Sequence, residues 1–113
     1  MKFAKIILLM VTAFFASSCF ASTERVTIEL TLKEHKFIPE KVEAPEGKVL
    51  VLLISNQDDI VEEFESIDLK REKIVPPHGK AKVVVGPLKA GEYKFFGEFY
   101  DPQPQGVLVV VKE

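Results

Sequence analysis

The sequence contains no tryptophan, one cysteine and two histidines in 113 residues. Each scarcity excludes something. The lone Cys19 closes no intrachain disulfide. It lies at the edge of a leader-like segment, so the folded part has no thiolate to offer a metal. With only His35 and His78, no convincing set of imidazoles exists. There is no Gly-rich phosphate loop, no Ser/His/Asp set for nucleophilic catalysis, and no carboxylate pair placed for hydrolysis. Basic residues form no continuous stripe. Lys and Arg number 15 against 17 Asp and Glu, a net charge of −2, so a nucleic-acid partner is not expected.

No apolar run reaches the roughly 20 residues of a membrane span. The run "IILLMVTAFFA", Ile6–Ala16, follows Lys2 and Lys5. That is the charged start and short apolar centre of a signal peptide. "SSCFAST" then supplies small residues for cleavage after Ala21. The expectation is a signal peptide over 1–21 and one exported domain over 22–113, with no transmembrane segment in the mature chain. Alternatively, "ASSC" serves as a lipobox, and Cys19 carries a lipid anchor. Loss of Lys2 and Lys5 leaves the remainder more acidic than the whole.

What is present is a β pattern. "RVTIELTL" alternates, with Val26, Ile28, Leu30 and Leu32 on one face. "VLVLLIS" is a nearly continuous apolar run, as expected of a strand covered on both sides. "VEEFESIDL" places Glu62, Phe64 and Ser66 on one face and Glu63, Glu65 and Ile67 on the other. "AKVVVGPL", "EYKFFGEF" and "GVLVVVK" complete the set, separated by turns at Pro45–Gly47, "PPHGK" and "KAGE". Only Leu69–Ile74, "LKREKI", reads as a helical turn. About seven short strands with regular turn signals predict an all-β Greek-key sandwich. An immunoglobulin-like domain lacks support without Trp or a Cys pair.

"FIPEKVEAPEGKVLVLLISNQDD", "EEFES", "REKIVPPHGKAKVVVGPLKAGEYKFFGEF" and "QGVLVVVK" together resemble the cupredoxin-like domain associated with bacterial iron-transport operons. "EEFES" and "GPLKAGEYKFFGEF" carry most of the resemblance. It implies a cupredoxin-like sandwich in the periplasm and a membrane iron permease or another periplasmic transport component as partner. It implies iron, or copper, as the metal. In the wider blue-copper pattern, the His after "N-x-D" falls on Glu62, the Cys and second His on Gly97 and Tyr100, and the axial Met near Gln105. All four ligands are replaced, which excludes a type 1 copper site.

The donors that remain are hard oxygens: Glu62, Tyr100 and Gln105, with Glu98 and Asp101 alongside. These suit ferric iron or other hard cations. Tyr100 stands where the resembled family usually has His. His35, before the "F-x-P" segment, is a further candidate; its bland reading is an exposed loop residue. His78 reads as a solvated turn residue. Glu65 and Glu63 face away from Glu62, so the acidic run cannot converge on one ion without a bulge. Glu98 can approach Glu63 or Glu65 across a strand pair. The bland reading of these carboxylates is a charged sheet face, whose ion pairs are each worth little. Gly97 leaves room for a larger group. Three functions follow: a metal-binding accessory of iron uptake, a metal-free scaffold that docks on a permease or other partner, and a ferroxidase, for which the sequence supplies no set of imidazoles.

Overall fold

The computed structural model describes residues 24–112. The expected leader, with Cys19, lies outside the described residues. These form nine strands: β1 (Arg25–Lys33), β2 (Lys36–Ile38), β3 (Lys41–Pro45), β4 (Val49–Asn56), β5 (Glu62–Ser66), β6 (Arg71–Val75), β7 (Lys80–Val85), β8 (Gly91–Gly97) and β9 (Gln105–Val111). One sheet runs β2-β1-β4-β7 and the other β3-β9-β8-β5-β6. The expected all-β sandwich is the observed architecture. β1 pairs with β4 in parallel, as does β3 with β9; the other pairs are antiparallel.

Alternation decides which side chains enter the core. In β1, Ile28, Leu30 and Leu32 turn inward while Thr27, Glu29 and Lys33 face water. In β4, Leu50, Leu52 and Ile54 are wholly buried, while Val51 and Leu53 are half-buried on the outer face. The apolar run of β4 therefore marks an interior strand between β1 and β7, with an outer face that is only partly covered. Phe37 on β2 meets Phe64 on β5 and Phe95 on β8 edge-on, with ring centroids 6.3 and 5.0 Å away. These rings join the two sheets. At the start of β8, the Tyr93 hydroxyl donates to the Lys89 carbonyl at 2.8 Å. Such a bond back across the corner between strands fixes a Greek-key crossing.

Two sequence expectations change. Leu69–Ile74 is not a helical turn. Residues 67–70 form a tight turn, closed by the Lys70 amide on the Ile67 carbonyl at 3.2 Å, with Lys70 at φ 56°. The chain then returns as β6, in register with β5 from Glu62↔Val75 to Ser66↔Arg71. Strand pairing and burial of Val75 outweigh the helical spacing, since tertiary context overrides weak local propensity. The strands number nine rather than about seven: besides β6, the count gains β2 and β3, which at three and five residues are too short to show a clear alternation in the sequence.

Candidate functional site

Three loops meet at one end of the sandwich: the β1–β2 turn, the loop after β4, and the loop between β8 and β9. Glu34 and His35 form a two-residue hairpin turn, both left-handed at φ 51° and 59°. This is the turn that matches strand twist, although it favours Asn-Gly. The Asp58 carboxylate holds it, accepting the Glu34 amide at 2.8 Å and the His35 amide at 2.9 Å. Asp58 is itself placed by Asn56, whose Oδ1 accepts the Asp58 amide at 2.9 Å. The buried Asn56 amide group also donates to the Ile60 and Val75 carbonyls. The fixed turn lays the His35 ring flat on Tyr100, centroids 3.5 Å apart and planes 3° from parallel. The His35 Nδ1 lies 3.7 Å from Asp58.

Glu62 sits beneath this stack, 6% exposed. Its Oε1 accepts the Glu63 amide at 2.8 Å and the Phe99 amide at 2.7 Å, and its Oε2 accepts the Tyr100 amide at 3.3 Å. A Cβ at Gly97 would lie 2.7 Å from this carboxylate and 2.6 Å from Pro104. The room expected at Gly97 is therefore filled, by Glu62 and the buried Pro104. The Gly97 amide donates to the Pro104 carbonyl at 2.9 Å, which draws the loop closed over the carboxylate.

The other sequence candidates separate into groups. His35, Tyr100 and Gln105 line one open groove with Pro102, Gln103 and Pro104. Asp101 is exposed in the loop. Glu65 and Glu98 lie elsewhere, on the outer face of the five-stranded sheet. There the Glu63, Glu65 and Glu72 carboxylate oxygens come within 4.8 Å of one another. Partial desolvation on the sheet raises the Glu65 pKa above 4.5, the nearby charges of Glu98, Glu72 and Glu63 add to it, and so does a hydrogen bond that protonated Glu65 donates to Glu98. The β5–β6 register, Glu65↔Glu72, is what adds Glu72. Reading Leu69–Ile74 as helical hid that residue from the sequence.

"EEFESID" also carries structural duties that alternation alone did not reveal. β5 pairs with β8 only at Phe64↔Gly97 and Glu65↔Phe96. Beyond that point side chains replace the ladder. The Ser66 hydroxyl donates to the Lys94 carbonyl at 2.6 Å, and Asp68 accepts the Lys94 amide at 2.8 Å. His78, in the turn before β7, is exposed and meets the exposed Asp59, a pair of the kind that contributes little.

The residues at the blue-copper positions do not fit a type 1 site. Gly97 has no side chain, the Glu62 oxygens are engaged by amides, and Tyr100 is stacked on His35. A copper centre of that kind needs a thiolate and two imidazoles.

Comparison with known proteins gives the wider setting. The family model for the cupredoxin-like domain matches residues 5–110. An uncharacterized protein of Rickettsia prowazekii (strain Madrid E) is 47% identical over 83 residues, which span 74% of this chain and 66% of that protein. Auracyanin A, a blue copper protein of Chloroflexus aurantiacus, superposes with a TM-score of 0.66 at 16% identity, covering 78% of this chain and 100% of that one. The metal-binding domain of the Cu(I)-exporting P-type ATPase CopA of Streptococcus pneumoniae D39 gives 0.64 at 13% identity, over 79% and 97%. The periplasmic domain of cytochrome oxidase subunit II of Bradyrhizobium japonicum gives 0.67 at 13% identity, over 78% and 85%. Identities this low speak to the fold alone. Together with the two-sheet topology and the match of residues 5–110 to the family model, they lead to one conclusion: the chain belongs to the cupredoxin-like domain family.

Proposed function

We propose that this chain is an exported accessory of bacterial iron uptake that handles iron as cargo on surface carboxylates, without a type 1 copper site. The proposal places the cation at Glu63, Glu65 and Glu72, with Glu98 beside them. One observation carries it: three carboxylates from paired strands bring ligand oxygens within 4.8 Å of one another. Carboxylates are hard donors suited to a hard cation. The elevated Glu65 pKa agrees with the crowding, because a bound cation would relieve the repulsion that disfavours its charge. Similarity of "EEFES" and "GEF" to the iron-associated domains favours iron and a permease or other periplasmic transport component as recipient. Iron here is bound and passed on, and the chain's own residues supply no redox step.

A second reading is a metal-free interaction module. It is favoured by Glu62, whose carboxylate closes over Gly97 and is already engaged by backbone amides. Calorimetric titration with Fe²⁺ under anaerobic conditions, Fe³⁺ supplied as a citrate complex, Mn²⁺ and Cu²⁺ separates the two. Saturable iron binding that Glu65→Gln and Glu98→Gln weaken at least tenfold, and Glu62→Gln leaves unchanged, supports the iron reading. Absence of binding to all four ions overturns it in favour of the module. Binding lost only in Glu62→Gln would also overturn the assignment to the outer face.

A further inference from the structure

We infer that the loop end of this sandwich is a carboxylate-binding nest, in which the amides of Glu63, Phe99 and Tyr100 hold an anion that the chain supplies itself through Glu62. The inference does not rest on the iron reading, which concerns the opposite face of β5.

Several features converge on the same small volume. Three backbone N–H groups, two of them consecutive, point at it from 2.7 to 3.3 Å. Successive amides turned toward one point form a concavity of positive potential that accepts anions. The lack of a side chain at Gly97 makes the space, and Pro104 roofs it. The occupant is a buried carboxylate, and a buried charge persists only when it is paired or hydrogen-bonded. Hydrogen bonds to an ionised acceptor are the stronger class, roughly twice the neutral kind. A cation in the same volume would face the positive ends of all three N–H dipoles.

The polarity of the loop end is therefore reversed relative to a metal centre. The Glu62 carboxylate ties β5 to the residues after β8. It thereby sets where Phe99 emerges, 51% exposed, and where Tyr100 meets His35. Glu62 is a positioning residue, and the loop it holds is formed without a metal. With Glu62 truncated, the nest should accept a small carboxylate such as formate from solution.

Amide hydrogen exchange measured by NMR on the exported chain tests this. In the wild type, the Phe99 and Tyr100 amides should be protected, and EDTA should leave their rates unchanged. In Glu62→Ala their exchange should accelerate about tenfold or more, the loss expected for a bond to a charged acceptor. Formate should restore protection with saturation, while chloride at equal ionic strength should not. Glu62→Gln, which keeps the shape and one acceptor oxygen, should show an intermediate acceleration and guards against a variant that fails to fold. The inference is overturned if EDTA deprotects these amides in the wild type, if both variants exchange as slowly as the wild type, or if formate acts no differently from chloride.

Discussion

At the scale of single residues, Glu62 and Glu65 show how one strand gives two carboxylates opposite settings. Glu62 turns inward to three amides. Glu65 turns outward among Glu98, Glu72 and Glu63, and its pKa rises above 4.5. A raised carboxyl pKa means that the folded chain holds this proton more tightly than the unfolded one. The group thus favours folding below about pH 4.5, and that contribution is lost as pH rises through the elevated folded-state value. Glu65→Gln removes the ionisation. The variant should show a higher urea midpoint than the wild type at pH 7, and the gap should shrink as pH approaches 4. Denaturation curves at several pH values check this, and an equal gain at pH 7 and pH 4 would refute it. The two faces of β5 were legible from alternation in "EEFES". The approach of Glu98 to Glu65 was legible as well; the other partners were not, because they are backbone amides of a distant loop and a carboxylate, Glu72, from a strand that resembled a helical turn.

At the scale of elements, the β1–β2 hairpin depends on a residue outside both strands. Glu34 and His35 are left-handed without being Gly or Asn, at a cost of roughly 1–2 kcal/mol each. Asp58 offsets this by accepting both turn amides. Asp58→Ala should lower stability by about 2 kcal/mol, given about 1.5–3 kcal/mol for a bond to a charged group and partial solvent exposure here. Glu34→Gly in the Asp58→Ala background should recover about 1 kcal/mol, since glycine adopts this conformation freely. Urea denaturation of the single and double variants measures both. A neutral Asp58→Ala would show that the turn holds itself. The hairpin was hidden in the sequence because "KEHK" contains no turn-favouring residue, and the residue that holds it lies 23 and 24 positions away. The long strands β1, β4 and β9 were legible because local sequence suffices: β1 alternates, and β4 and β9 are apolar runs. The short β2 and β3 exist only through their partners, β1 and β9.

At the scale of the whole molecule, stability rests on one apolar core, since the described residues contain no cysteine. Phe37, Phe64 and Phe95 are at most 1% exposed and bridge the sheets, Phe37 from one and the other two from its partner. If this trio joins the layers into one cooperative unit, damage on one side must be felt on both. Phe37→Ala should cost about 3–5 kcal/mol, the usual range for deleting a buried aromatic ring. That is a large part of the roughly 5–15 kcal/mol available to a domain of this kind. Hydrogen exchange should then accelerate in β8 and β9 of the five-stranded sheet as much as in β1 and β4 of the four-stranded one. The β2 edge, where the mutation lies, should not be singled out. Acceleration confined to β1 and β2 would mean that the sheets open separately and that the aromatic contact is not what couples them. The distinction bears on function, because the Glu62 loop hangs from the five-stranded sheet, while the His35 turn that stacks on it hangs from the other. Only a single cooperative unit keeps those two halves of the loop end in register.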